Sequence, residues 1–405
     1  MDDGNDMRTW IEAGRALLPE MVALRRAIHE EPELGLKTPA TTAKIKQALA
    51  GLPLELREGP STTGFVAALR GHSNGRTVLL RADMDALPMQ EETGLPFTSR
   101  HEGAMHACGH DSHVAMLAGA AKALCANRDR LAGTVLFMFQ PGEEGHHGAR
   151  FMLEDGLLDP LPDAAFALHV WPNFPGGAFA GRPGPLLAAA DRLLITVMGK
   201  GGHASQPHLA TDPIPVACEI VTALQSLVTR RIPAFDPVVI TIARITSGTT
   251  NNVIPERAEL EGTIRSFSES SRRLAHEGVH RVAKNVAMAH GAAAEAEIIP
   301  GFPVTLCDGR AVALAKQTAE NMFGEFGWQT LANPVMGAED FSYVLQKVPG
   351  AMLFLGAVPE GGDPGTCCGL HSNRMILDEA VMARGAAMHC TLAENFLSRG
   401  FSAAV

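Results

Sequence analysis

The sequence has no run of lysine and arginine residues, although 34 of its 405 residues are basic. The 44 acidic residues give a formal net charge of −10. Nucleic-acid-binding domains carry a clustered basic patch, so we do not expect this class of protein. There is also no apolar stretch of about 18 residues free of charge, glycine and proline, so we expect no transmembrane helix.

A secretory signal pattern is missing as well. The first ten residues are polar and acidic, whereas such a signal has a basic stretch followed by an apolar segment. The cysteine count of seven is odd, and without a signal pattern a disulfide framework is not expected. We therefore expect a cytoplasmic protein with reduced thiols.

The chain is long enough for more than one hydrophobic core, and its element pattern changes twice. Up to residue 188, short apolar runs at 78–80, 135–139 and 164–170 alternate with helical patterns. This alternation predicts an α/β domain with a central, mostly parallel sheet and flanking helices. Residues 189–305 have the order β-α-β-β-α-β, which predicts an inserted ferredoxin-like domain, and residues 306–405 complete the larger domain.

The densest chemical signal lies at residues 105–111, which include Cys108 and His110. A thiolate and an imidazole two residues apart can bind one metal centre, and Gly109 between them permits a tight turn. An equally good interpretation of these residues alone is a buried cysteine beside a histidine with local hydrogen bonds.

Two adjacent carboxylates, Glu143 and Glu144, follow the predicted strand at 135–139. In open α/β sheets, ligands gather at the carboxyl ends of the strands. Because adjacent side chains point in different directions, one carboxylate could bind a metal while the other acts as a general base. The alternative interpretation is a solvated acidic loop.

Other candidate site residues also lie at or after the ends of predicted strands. His169 ends the strand at 164–170, Asp85 follows the strand at 78–80, and His371 lies in the loop after the last predicted strand. Because the carboxyl ends of parallel strands share one edge of a sheet, these residues and the two glutamates could converge there. A metal site at that edge is therefore predicted.

Four neighbouring residues are weaker candidates: His146, His147, Cys367 and Cys368. The two histidines follow the carboxylate pair and could add ligands. The two cysteines favour an ordinary loop, because no second cysteine pair completes a zinc knuckle.

The motifs together resemble those of dinuclear-metal amidohydrolases, a family that includes hippurate hydrolases, N-acyl-L-amino-acid amidohydrolases and indoleacetyl-amino-acid hydrolases. The matching segments extend over nearly the whole chain, at residues 29–34, 81–88, 105–111, 139–145, 169–172, 201–205, 251–255, 262–265, 336–341 and 370–372.

The resemblance implies a metallo-exopeptidase-like catalytic domain and a lid and dimerisation role for the inserted domain. It implies two divalent metal ions, Zn, Mn, Co or Ni, bound by Cys108, His110, Glu144, His169 and His371. It also implies that Glu143 is the general acid/base and that Asp85 orients metal-bound histidines.

The resemblance further implies roles for three residues of the inserted domain: His203 at the developing oxyanion, Asn252 at the substrate, and Arg265 at the substrate carboxylate. In this family, the counterpart of His203 often comes from the partner subunit, so a homodimer or higher homo-oligomer is expected.

The implied reaction is hydrolysis of the amide bond of N-acyl-L-amino acids, hippurate-like or N-acetyl, to a carboxylic acid and a free amino acid. An acyl-enzyme is not expected, because there is no G-x-S-x-G motif. A dipeptidase or aminopeptidase on the same scaffold is the alternative. A non-catalytic metal-stabilised protein is disfavoured, because Glu143 and all five candidate ligands are present.

Overall fold

The computed structural model describes residues 3–401, with side chains from residue 9 onwards. Met1 and Asp2, at the start of the polar N-terminus, lie outside the described residues. The chain divides into two compact units. The first comprises Met1–Leu186, Leu306–Asn333 and Asp340–Val405, and the second comprises Leu187–Thr305 and Pro334–Glu339.

The described residues contain both long helices and short strands. The helices are α1 (Asp3–His29), α2 (Pro39–Ala48), α3 (His110–Ala126), α4 (Gly148–Glu154), α5 (Pro213–Arg231), α6 (Glu269–Ala289), α7 (Gly309–Phe323), α8 (Ser342–Leu345) and α9 (Met382–Arg399). The strands are β1 (Glu55–Glu58), β2 (Phe65–Arg70), β3 (Arg76–Asp83), β4 (Gly133–Gln140), β5 (Ala164–Trp171), β6 (Phe179–Gly181), β7 (Gly184–Leu187), β8 (Ala189–Met198), β9 (Gly202–His203), β10 (Val238–Ser247), β11 (Val253–Ile254), β12 (Arg257–Ser266), β13 (Ala293–Pro300), β14 (Thr305–Cys307), β15 (Trp328–Thr330) and β16 (Gly350–Gly356).

An eight-stranded sheet forms the centre of the first unit, in the order β1-β2-β4-β3-β5-β16-β6-β15. Its four central strands, β4, β3, β5 and β16, are parallel neighbours. These strands are buried along most of their length, which explains why they are continuous apolar runs rather than alternating patterns. The predicted α/β class with a mostly parallel sheet is confirmed.

Helices α1, α3 and α9 pack together, and α3 and α9 pack on this sheet. Their close approach depends on small residues. A Cβ atom added at Gly119 of α3 would lie 2.4 Å from Sδ of Met21 in α1, and one at Gly385 of α9 would lie 2.0 Å from Sδ of Met116 in α3. The apolar side of each helix is thereby buried, which is the main source of helix stability in a folded domain.

The carboxyl ends of the central strands meet at one edge of the sheet. There β3 ends at Asp83, β4 ends at Gln140, and β5 ends at Trp171. Helix α3 begins at the same edge with His110, after Gly109 in a left-handed conformation with φ of 84°. This edge is therefore supplied with side chains from distant parts of the chain.

The second unit has the element order β8-α5-β10-β12-α6-β13. Its four-stranded antiparallel sheet has the order β10-β12-β8-β13. Alternate residues of β8 and β12 are buried and join a cluster of apolar side chains from α5 and α6. The element order of this unit is the β-α-β-β-α-β order that the sequence indicates for residues 189–305. Among the helices of the described residues, none combines the length and apolar character needed to span a membrane.

Candidate metal centre

The turn before α3 places Cys108 and His110 at the carboxyl edge of the sheet, both buried. Sγ of Cys108 lies 3.4 Å from Nε2 of His169, which comes from β5. Two segments that are 61 residues apart in the chain therefore contribute a thiol and an imidazole to one point.

The imidazole of His110 is oriented through one of its two nitrogens. Its Nδ1 donates a hydrogen bond of 2.8 Å to the backbone carbonyl of Asp85. Its Nε2 is buried and has no hydrogen-bond partner within residues 9–401. Buried polar atoms are nearly always satisfied, so an imidazole nitrogen in this state fits a metal ligand.

His169 is oriented in a similar way. Its Nδ1 lies 2.7 Å from the backbone carbonyl of Val170, to which it donates. The proton is therefore on Nδ1, and Nε2 presents a lone pair towards Cys108. Metal-binding histidines commonly have this arrangement, in which the second nitrogen donates to a carbonyl or carboxylate.

The carboxylate pair follows β4 in a turn held by Asp85. The backbone N–H groups of Glu143 and Glu144 donate to the two carboxylate oxygens of Asp85, at 2.9 and 3.1 Å. Asp85 thus supports His110 through its carbonyl and the glutamates through its side chain. Glu143 is 6% exposed, so its carboxylate lies in a largely water-excluded place.

His371 completes the group from the loop between β16 and α9. Its backbone has a left-handed φ of 63°, and its N–H donates to the carbonyl of Ala107 at 2.8 Å. Its Nε2 lies 3.2 Å from Oε1 of Glu144. Hydrogen bonds with Cys108 and Glu144 raise the pKa of His371 to about 10, so two acidic groups favour positive charge here.

Donor atoms of these residues form overlapping groups in which all members lie within 4.8 Å of one another: Cys108–His110–His169, Cys108–Glu144–His371 and His110–Glu143–Glu144. One thiol, three imidazoles and carboxylates are a donor set suited to Zn and to neighbouring transition metals. The arrangement therefore fits divalent cations on the basis of both its donor types and the unpartnered Nε2 of His110.

A buried polar network beneath this centre was given no role on the basis of sequence. Arg81 donates to Gln140 at 2.8 Å, to Asp83 at 2.6 Å and to Asp340 at 2.9 Å. Asp340 also accepts from the backbone N–H of Ala149, at the start of α4. Asp83 and Asp340 lie in matched motifs, at residues 81–88 and 336–341, and that was the available signal.

The four weaker candidates join none of the possible metal-binding groups found among the described residues. Nδ1 of His147 lies 2.9 Å from the hydroxyl of Tyr343. Sγ of Cys367 donates to the carbonyl of Pro172 at 3.1 Å, and Asn173 donates to the carbonyl of Cys367 at 2.9 Å. His147 and Cys367 therefore stabilise loops through hydrogen bonds.

The three candidates of the second unit lie in two places. His203 of β9 pairs with Val253 of β11, and the carbonyl of Asn252 accepts from Ala204 at 3.1 Å, so His203 and Asn252 are close together. The side chain of His203 is exposed, and its Nδ1 lies 2.8 Å from the hydroxyl of Ser205. Arg265 lies on β12, where partial burial lowers the pKa of its guanidinium.

Residues 79–395 match the model of peptidase family M20/M25/M40. The chain belongs to this family. It is a metallo-amidohydrolase, and the expected family and enzyme class are confirmed.

Similar proteins cover nearly the same length. An N-acetylcysteine deacetylase of Bacillus subtilis is 41% identical over 346 residues, which cover 85% of this chain and 90% of the relative. Thermostable carboxypeptidase 2 of Saccharolobus solfataricus is 39% identical over 383 residues, which cover 94% of this chain and 96% of the relative. A Bacillus subtilis crystal structure is described as a dinuclear metal binding peptidase from the M20 family. It has a TM-score of 0.82 at 35% sequence identity, and the match covers 95% of this chain and 99% of that chain.

Proposed function

We propose that this M20 enzyme hydrolyses the amide bond of N-acyl-L-amino acids to a carboxylic acid and a free amino acid. The observation that carries the proposal is the position of Glu143, a buried carboxylate among converging metal-ligating donors. The similar deacetylase named above acts, by its name, on an N-acetyl amino acid.

The proposed cofactor is a pair of divalent cations per subunit. The proposed ligands are Cys108, His110, Glu144, His169 and His371. The thiolate suits Zn, while the imidazoles and the carboxylate also suit Mn, Co and Ni. The solved structure described as dinuclear supports two ions rather than one.

Glu143 is the proposed general acid/base. When bound, divalent cations supply Lewis-acid chemistry, which polarises the amide carbonyl and lowers the pKa of water towards about 7. Glu143 accepts a proton from the attacking water and delivers it to the nitrogen of the leaving amine. Asp85 keeps this carboxylate in place through the backbone N–H of Glu143.

The second unit has a proposed role in substrate binding and assembly. His203 stabilises the developing oxyanion, Asn252 binds the substrate, and Arg265 binds the free carboxylate through its planar pair of N–H groups. We propose a homodimer, formed through this unit, in which His203 acts on the partner's substrate. Equal activity of His203→Ala and the unaltered enzyme would contradict this role.

Replacement of Glu143 tests the proposal. Glu143→Gln keeps the size of the side chain but cannot accept a proton, so kcat on N-acetyl and N-benzoyl amino acids should fall by about 100-fold or more. The matched control is Glu154→Gln, at the exposed end of α4, which should leave kcat unchanged. Metal content is measured in both variants. Near-normal turnover by Glu143→Gln with its metals bound would disprove the assignment.

A peptidase activity is the second candidate, and the similar enzyme named a carboxypeptidase favours it. The two activities differ at the acyl side of the scissile bond, where a peptide carries a free or extended amino group. Rates should be compared for N-acetyl amino acids, N-benzoyl amino acids and free dipeptides with the same C-terminal residue. Faster cleavage of the free dipeptides would replace the first proposal with the second.

A further inference from the structure

His113 lies one turn after His110 on α3, and its ring is 1% exposed. Its Nδ1 lies 2.5 Å from Oδ1 of Asp83, and the backbone N–H of Val170 donates to its Nε2 at 2.9 Å. Because a backbone N–H can only donate, Nε2 must carry a lone pair. The ring is therefore neutral, with its proton on Nδ1 and donated to Asp83.

The backbone is held on both sides of Val170. The N–H of Val170, in the peptide that joins it to His169, donates to His113, and the carbonyl of Val170, in the next peptide, accepts from Nδ1 of His169 at 2.7 Å. The direction of this carbonyl decides which nitrogen of His169 carries the proton. With Nδ1 protonated, Nε2 of His169 presents its lone pair towards Sγ of Cys108, 3.4 Å away.

The far end of this chain of hydrogen bonds is fixed. Asp83 accepts from Arg81 at 2.6 Å, and Arg81 is bound in turn by Gln140 and Asp340. All four side chains are at most 1% exposed. Such a satisfied buried network holds one arrangement, because each alternative leaves a polar group without a partner.

We propose that His113 is a positioning residue which, through the backbone on both sides of Val170, fixes the tautomer and ring orientation of His169 for metal binding. The inference rests on His169 being a ligand, as proposed above. His113 could instead be a metal ligand, because donor atoms of Asp83, His110 and His113 lie within 4.8 Å of one another. Both nitrogens of His113 are already engaged, however, so it has no lone pair for a metal.

The tautomers can be measured directly on the unaltered enzyme. In chelator-treated protein labelled with ¹⁵N-histidine, the nitrogen shifts should identify His113 and His169 as Nδ1–H tautomers. When Zn²⁺ is added, Nε2 of His169 should shift as a ligand, whereas the nitrogens of His113 should not. An Nε2–H tautomer of His113, or a metal-induced shift at its nitrogens, would overturn the inference.

Two substitutions separate the two hydrogen bonds of His113. Glutamine can place an oxygen near the position of Nε2 and accept from Val170, whereas asparagine can donate to Asp83 but does not reach Val170. His113→Asn should therefore weaken Co²⁺ binding by about 10- to 100-fold, and His113→Gln should weaken it much less. Binding is followed by the thiolate-to-cobalt absorption band, a readout that does not depend on turnover.

The control is His389, an equally buried histidine on α9. His389→Asn should leave the affinity for Co²⁺ unchanged in folded protein. Equal losses in His389→Asn and His113→Asn, or unchanged binding in His113→Asn, would contradict a positioning role. If the variants do not fold, the tautomer measurement still decides. Intact tautomers and metal binding without amide hydrolysis would overturn the proposed function and leave this inference standing.

Discussion

The carboxylate of Asp85 accepts a hydrogen bond of 2.9 Å from the backbone N–H of Glu143. Its second oxygen accepts from the backbone N–H of Glu144 at 3.1 Å. One side chain thus fixes the turn on which both the proposed base and a proposed ligand lie. The contact joins the segments after β3 and β4, which are parallel neighbours in the sheet.

Asp85→Asn should impair catalysis without unfolding the protein. An amide has a single oxygen, so one of the two backbone N–H groups loses its acceptor and faces an N–H₂ group instead. We expect kcat to fall by about 10- to 100-fold, the usual effect of altering a residue that supports ligands. Steady-state kinetics and metal analysis measure the effect.

The matched control for this change is Asp163→Asn. Asp163 also accepts from a backbone N–H, that of Thr77 at 2.7 Å, but it lies before the amino end of β5, whereas Asp85 lies after the carboxyl end of β3. The Asp163→Asn variant should be slightly less stable than the unaltered enzyme and equally active. Similar losses of kcat in both variants would show that the effect of Asp85 is general rather than specific to the site.

Gly148→Ala should displace the same turn from its other end. A Cβ atom at Gly148 would lie 1.7 Å from the carbonyl oxygen of Pro141, which is backbone and cannot swing away. The segment between them carries Glu143 and Glu144, so kcat should fall, by up to about 100-fold for a shift of 1 Å. Gly309→Ala, whose new Cβ has no neighbour closer than 3.8 Å, should be neutral. Full activity of Gly148→Ala would show that the turn tolerates movement.

The second unit should show an acid-dependent loss of stability that is centred on Asp191. This buried carboxylate accepts from Nε of Arg272 at 2.9 Å and from Nε2 of His276 at 2.6 Å. Burial raises its pKa, but these partners outweigh burial and lower the pKa to about 2. The stabilisation is therefore complete above about pH 5 and is lost as the pH falls towards 2.

Asp191→Ala should remove this dependence and leave Arg272 without its buried partner, at a cost of about 3–5 kcal/mol. Urea unfolding of both proteins at pH 7 and at pH 3 measures the difference, which should shrink at the lower pH. Glu261→Gln serves as the control, because its pairs with Arg192 and Arg244 are exposed and contribute about 0–1 kcal/mol. If the difference in unfolding free energy between the unaltered protein and Asp191→Ala is the same at pH 7 and pH 3, the acid-dependent loss of stability does not come from Asp191.

Much of the architecture was predictable because local patterns and long-range packing agree. The apolar runs at 78–80, 135–139 and 164–170 lie in β3, β4 and β5. Parallel order then brings strand ends together. That is why residues as distant as Asp85 and His371 are expected at one edge from the sequence alone.

The buried partners were not predictable in this way. Arg81 and Asp340 are 259 positions apart, and Arg81 donates a hydrogen bond to Asp340 that no sequence periodicity indicates. The sequence predicts that Asp85 supports a histidine, and its carbonyl accepts from His110. Its carboxylate also accepts from two backbone N–H groups, whose positions depend on the turn itself. Side-chain pairing of this kind depends on three-dimensional packing rather than on spacing along the chain.

The position of β16 between β5 and β6 has a consequence for biosynthesis. Strand β5 is complete by residue 171, but its parallel neighbour is not synthesised until residues 350–356. A nascent chain therefore exposes an unpaired apolar edge while the whole second unit is being made. Early folding of that unit would shorten the unfolded chain between the two strands, whereas premature termination would leave a fragment prone to aggregation.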